Sequence, residues 1–275
     1  MVAAAKLRRA QERAESGRPY TQSIINSIAR ILKHTRAQNA LMEKKESPVK
    51  CFMVVTSDRG LCGSYNSNVM RRALTDIQQL PRDQVTIIAI GRKARDFFKR
   101  REYNIVAEYL NIDDRPDFSL AQEMGSMVAR MFLEGQIGEA GIFYSEFINV
   151  VIHRPQLFQL LPMQAEQIEE EEAEAAESAA EKGEEQDKLF YRFEPEPEAV
   201  LGALLPRFLN SLIYSALLES KASEFGARMT AMRTATDNAR DMIERLTLEY
   251  NKARQAAITQ EILEIVNTSE ALSGS

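Results

Sequence analysis

The sequence predicts an α+β protein in which two long terminal helices form an antiparallel coiled coil around a central α/β (Rossmann-like) domain. Three observations predict it. Apolar residues at both ends of the chain recur in alternating steps of three and four. The residues between them switch to β-rich runs alternating with helical patterns. One short stretch, 166–187, carries eleven acids against a single Lys and separates the middle from the C-terminal third.

The N-terminal helix is expected over 1–46. Leu7, Ala10, Ala14, Gly17, Thr21, Ile24, Ile28, Ile31, Thr35, Gln38 and Met42 form a heptad seam, small upstream and Ile-rich downstream. Pro19 interrupts it, and an interior proline costs roughly 3 kcal/mol, so a kink held by tertiary packing is expected there. The segment carries ten Lys or Arg against four Glu, a basic face suited to an acidic partner.

The α/β domain is expected over 47–165. Its β-rich runs are Cys51 to Thr56, Val85 to Ile90, Gly141 to Phe147 and Asn149 to His153. Between them lie helical patterns at Asn66 to Leu80, Lys93 to Arg101 and Leu120 to Leu133, an alternation that argues a mainly parallel sheet. Residues 166–188 read as a solvated, flexible insertion: 166–187 hold eleven acids against Lys182 and no large apolar residue after Ile168. Residues 189–196 would return to the domain as a strand, Leu189 to Phe193 making an extended pair with Gln156 to Leu161.

The C-terminal helix is expected over 197–267, opened by the prolines and acids of 194–198 and closed at Asn267, with 268–275 as a disordered tail. Its seam runs through Leu218, Ala222, Phe225, Met229, Met232, Thr236, Ala239, Ile243, Leu246, Tyr250, Ala253 and Ala257. Beyond Ala257 the apolar positions drift to Ile258, Ile262, Ile265 and Val266, so the tip turns a different face to a different partner.

Composition narrows the function. The longest apolar runs are about five residues, against roughly 20 for a membrane span, and the first nine residues lack the apolar centre of a secretory signal, so a cytosolic chain is expected. Two cysteines and two histidines make a disulfide framework or a zinc cluster an unsuitable reading. No metal, cofactor, nucleic-acid or catalytic site is expected, since no carboxylate pair or Ser/His/Asp set stands out.

The strongest local motif is Ser57-Asp58-Arg59-Gly60-Leu61-Cys62-Gly63-Ser64-Tyr65-Asn66, between the first strand and its helix. A Gly-rich strand-to-helix turn is where a phosphate would bind. This one lacks the spacing of a dinucleotide fingerprint and the Gly-Lys-Ser/Thr ending of a triphosphate loop. It reads as a structural turn with Gly60 or Gly63 at positive φ. Cys62 there is a candidate nucleophile or a packed small residue, and Cys51 a core residue.

Several segments together resemble one family. They are Met1 to Arg9, Arg18-Pro19-Tyr20, the Ser57 to Asn66 turn, Ala231-Met232-Arg233-Thr234-Ala235-Thr236-Asp237-Asn238-Ala239, and the run from Tyr250-Asn251-Lys252-Ala253-Arg254 to Glu261-Ile262. The chain is similar over its whole length to the gamma subunits of rotary ATP synthases. That resemblance implies a central rotor shaft, coupling proton flow to conformational change in a hexamer of alpha and beta subunits that performs the catalysis. It implies an epsilon subunit and a membrane c-ring as further partners, and a peripheral place on the cytoplasmic face of the cell membrane. Arg254, Gln255, Thr259 and Glu261 would make polar contacts with the beta subunit and the hexamer's upper bearing. Lys6, Arg8 and Arg9 would face an acidic loop of the beta subunit.

The sequence departs from the family in two places. About two dozen residues precede the equivalent of Met1 in other members, which gives the expectation that the functional protein begins upstream. The acidic insertion is also longer than the family's. Two rival functions stay open: a homomeric coiled-coil scaffold, and a nucleotide-binding enzyme using the middle domain.

Overall fold

The computed structural model describes residues 2–34, 39–165 and 196–273. The chain divides into two compact units, Met1–Thr230 and Ala231–Ser275.

The first unit is built on a five-stranded sheet of order β3-β2-β1-β4-β5. Its strands are β1 (Lys50–Val55), β2 (Val85–Ile90), β3 (Asn104–Tyr109), β4 (Glu139–Phe147) and β5 (His153–Leu161). β1 pairs in parallel with β2 and with β4, β2 pairs in parallel with β3, and only β4 with β5 is antiparallel. Helices α2 (Tyr65–Ile77), α3 (Arg92–Lys99) and α4 (Phe118–Leu133) connect the parallel strands, and α1 (Val2–His34) and α5 (Pro197–Ser273) flank them in sequence.

Alternation along the strands explains the layers. Side chains on a strand point to opposite faces in turn, so Cys51, Met53 and Val55 enter one buried cluster while Phe52 and Val54 enter another. The second cluster is closed by Val69, Ala73 and Ile77 of α2 with Ala94 and Phe98 of α3. The first is closed by α4, by Ile24, Ile28 and Ile31 of α1, and by Leu201 to Leu217 of α5. The sheet is buried on both sides, as a parallel sheet requires. Ile28 and Ile31 are fully buried, worth about 1.5–3 kcal/mol each.

Further along, Leu7 and Ala10 of α1 pack with Ala222 and Phe225 of α5, while Asn39 Nδ2 lies beside Gly202 near the start of α5. Contacts made later in the N-terminal segment therefore fall earlier along α5. An 18-residue window of the described part of α5 has a mean hydropathy of 1.4, and half of it is buried inside the protein, as befits a helix that closes a core.

Four expectations need correction. The first helix does not reach 46: α1 is described over Val2–His34, and Asn39 Oδ1 accepts from Leu41 N and Asn39 O from Met42 N, so the side chain and backbone of Asn39 build a turn where helix was expected. The run expected as a strand from Asn149 to His153 is a turn over Asn149 to Ile152, with His153 opening β5, because Asn149 Oδ1 accepts from the amides of both Val151 and Ile152 and Asn149 N donates to Ile152 O. β3 had no counterpart among the expected strands; its half-buried alternation is that of an edge strand, with a weak apolar signal. Lastly α5 runs past Asn267 to Ser273, since Thr-Ser-Glu-Ala-Leu offers neither Gly nor Pro to stop it. α1 continues through Pro19. The acidic insertion and the expected strand Leu189 to Phe193 lie outside the described residues.

Candidate functional site

The turn after β1 earns its residues by what they cap. Thr56 Oγ1 accepts from Ala94 N at 2.9 Å, Ser57 O from Lys93 N at 3.3 Å, and Asp58 Oδ1 from Arg92 N at 3.0 Å. These three are the otherwise unpartnered amides of the first turn of α3. Asn66 Oδ1 in turn accepts from Ser57 N, and Asn66 Nδ2 donates to Ser57 Oγ and to Cys62 Sγ. Gly63 takes the positive φ that the turn was expected to need, and Leu61 takes a second, at 61°. The turn therefore joins the end of β1 to the start of α3 as well as leading into α2.

The crevice where the strand order switches, between the carboxyl ends of β1 and β4, is where an open α/β sheet binds its ligand. Here α5 occupies it. Ser223 Oγ donates to Ser145 O at 3.0 Å, and Ser145 N points at Ser220 Oγ at 3.5 Å. What remains is a cavity of about 10 Å³ beside Thr56, Tyr65, Ser220 and Glu224, room for one water. Burial and the Glu224 carboxylate both push the Tyr65 hydroxyl up, so it stays protonated. Cys51 is core, its thiol pushed up by burial to about 12.

The residues expected to contact partners fall in both units. Lys6 is already engaged: it forms an ion pair with Asp114, and its Nζ stands 5.8 Å from the Phe225 ring. Arg8 pairs with Glu12 at 3.0 Å, and Arg9 is exposed. Arg254, Gln255, Thr259 and Glu261 are all exposed on α5. Arg254 and Glu261, seven residues apart, share a face; Gln255 and Thr259 share the next, with Thr259 Oγ1 donating to Gln255 O at 2.8 Å. Every described residue from Met232 to Ser269 is exposed, including the seam residues Ile243, Leu246 and Tyr250.

Comparison with known proteins decides the family. A family model described as ATP synthase matches residues 1–272. An ATP synthase gamma chain of Halothermothrix orenii is 45% identical over 281 residues, covering 99% of this chain and 91% of the relative. The chain belongs to the ATP synthase gamma family. A relative from Acetobacterium woodii, an ATP synthase gamma chain described as sodium ion specific, is 41% identical over 279 residues, with 99% and 91% covered. Among solved structures, the central stalk and c-ring structure of the Tetrahymena thermophila mitochondrial ATP synthase contains a chain with a TM-score of 0.60 at 24% identity, covering 86% of this chain and 96% of that one. A chain of the Euglena gracilis mitochondrial enzyme scores 0.60 at 22% identity, covering 98% and 95%. At such identities these two share the fold.

In this gamma-family chain, sequence reasoning missed the residues that tie the helix to the sheet: Lys221, Glu224 and Arg228. Their one visible signal is Lys-x-x-Glu-x-x-x-Arg, an i,i+3 and i,i+4 charge pattern on a helix face otherwise apolar.

Proposed function

We propose that this chain is the central rotor shaft of a rotary ATP synthase, coupling ion flow through the membrane sector to conformational change at the catalytic beta subunits. The observation that carries the reading is full-length identity of up to 45% to ATP synthase gamma chains, together with a helix whose heptad seam stands exposed from Met232 onward. An exposed seam of Ile243, Leu246 and Tyr250 is apolar surface built for a partner.

On this reading α1 and α5 form an antiparallel coiled coil, supported by the opposite chain order of the contacts of Leu7 and Ala10 with Ala222 and Phe225 and of Asn39 with Gly202. The shaft enters a hexamer of alpha and beta subunits. Arg254, Gln255, Thr259 and Glu261 make polar contacts with the beta subunit and the bearing, and Arg8 and Arg9 face an acidic loop, with Lys6 released from Asp114 to join them. The α/β domain stands with the epsilon subunit and the c-ring, which gives the chain a peripheral place at the cytoplasmic face of the membrane. Rotation then presents unlike faces of α5 to each beta subunit in turn, shifting its nucleotide affinity by differential contact. The chain supplies no catalytic group.

Co-purification with alpha and beta subunits, followed by ion pumping driven by ATP hydrolysis in reconstituted vesicles, tests this. Assembly with stoichiometric incorporation and pumping is expected. A chain that self-assembles and ignores the other subunits would be a scaffold instead.

A further inference from the structure

We infer that Glu224 is the hub of a polar joint that fixes the angle of the α/β domain on the shaft helix, and that this joint is a positioning device for coupling. Glu224 lies on α5 and is 6% exposed. Its two oxygens hold two cations from the same helix: Oε1 takes Arg228 Nη1 at 2.8 Å and Oε2 takes Lys221 Nζ at 3.4 Å. Each cation then reaches off the helix to a backbone carbonyl. Arg228 Nη2 donates to Gly60 O at 3.3 Å, and Lys221 Nζ donates to Ile112 O at 3.2 Å.

Those two carbonyls belong to the loops that leave the carboxyl ends of β1 and β3. One carboxylate therefore sets the position of two arms that grip the sheet at separate points, and Ser223 on Ser145 O adds a third at β4. The chemistry suits fixing an angle. Apolar contacts are non-directional and repack when one layer slides over another, whereas a guanidinium fork presents its donors at fixed angles and holds only one geometry. An ionic cluster around a buried carboxylate with half-buried cations is poor at adding stability, because desolvation offsets its attraction; its best-attested use is to specify one register. The crevice that α/β proteins leave for ligands is here filled by a clamp.

The inference rests on the rotor-shaft reading, and the two can fail separately. Complexes are assembled with the natural chain, with Glu224→Gln, with Arg228→Gln and with both changes, and ions pumped per ATP hydrolysed are measured at equal incorporation. If the natural chain gives no pumping, the shaft reading fails. If it pumps, each single variant is expected to lose more than half of the ions moved per ATP while hydrolysis continues. The double variant is expected to be no worse than either single one, since one broken joint cannot be broken twice. Single variants that pump as well per ATP as the natural chain, or additive losses, would overturn the joint. Hydrogen exchange on the purified full chain covers variants that do not incorporate. Amides of 57–63 should exchange faster in Glu224→Gln while those of β2 stay unchanged, and an unchanged turn would sink the idea.

Discussion

The imidazole of His153 occupies the space a side chain at Gly226 would need: a Cβ at Gly226 would stand 2.9 Å from His153 Cε1 and 3.3 Å from its Nε2. The first residue of β5 thus packs against the backbone of α5, with the Phe147 ring 5.8 Å from the imidazole on the other hand.

Two opposed effects follow from that contact at Gly226. Alanine in place of a helical glycine gains about 1 kcal/mol, while forcing a methyl group into a filled space costs about 1–3 kcal/mol. Gly226→Ala is expected to be neutral to destabilising in the natural chain and stabilising by about 1 kcal/mol when His153→Ser has cleared the space. Urea denaturation of the four chains gives the sign in each background; the same sign in both would mean that the ring does not fill the site.

His153 also carries a pH dependence. Burial holds its pKa below the ordinary value of 6.5, against a smaller opposite pull from a hydrogen bond to the Val150 backbone, and its Nδ1 is buried without a partner. A folded pKa below the unfolded one means that the unfolded chain binds the extra proton. The stabilisation is therefore fully present above the unfolded value of about 6.5 and is lost as pH falls through the lower folded value. Denaturation midpoints of the natural chain should drop on acidification across this range more than those of His153→Gln. Parallel curves for the two would place the titration elsewhere.

The contrast between these two residues and the heptads shows what was legible beforehand. Ile24, Ile28 and Ile31 announce their burial through a period of 3.5, a property of neighbours in sequence. β2 was visible as an unbroken apolar run because both its faces are covered, whereas β3, an edge strand with every other residue exposed, was not. The turn at Asn149 depends on one side chain folding back on two amides, which composition alone does not distinguish from a β-rich run ending at His153. Least legible was the joint: Arg228 and Gly60 lie 168 residues apart, and their bond exists only because α5 crosses the end of the sheet.

Gly91 provides a sharper backbone test. Its φ is +90°, and a Cβ there would stand 2.3 Å from Thr56 O, in the backbone that caps α3. Neither atom can give way as a flexible side chain would. Gly91→Ala should cost about 3 kcal/mol or more, while Gly60→Ala, with nothing within 4 Å of its Cβ, should stay within about 0.5 kcal/mol of the natural chain. Thermal denaturation of both variants checks this, and a mild effect at Gly91 would show that the strand end and helix start can separate cheaply.

The last expectation concerns the exposed seam of α5. Ile243 is 65% exposed and Leu246 52%, whereas Ile213, on the same helix thirty residues earlier, is fully buried. A side chain already in water contributes little to folding, so Ile243→Ser and Leu246→Ser should change the stability of the purified chain by less than about 0.5 kcal/mol. Ile213→Ala should cost about 2–5 kcal/mol in the same assay, through lost burial and the cavity left behind. In the assembled complex the order changes: if partner subunits cover the seam, each serine variant should weaken association by about 1.5–3 kcal/mol, the value of burying one such side chain. Denaturation of the purified chains, set beside the affinity of each for alpha and beta subunits, separates the two contributions. A seam variant that unfolds the purified chain as readily as Ile213→Ala would mean that Ile243 is covered within the chain itself. One that leaves both stability and association untouched would remove the partner from this face of the shaft.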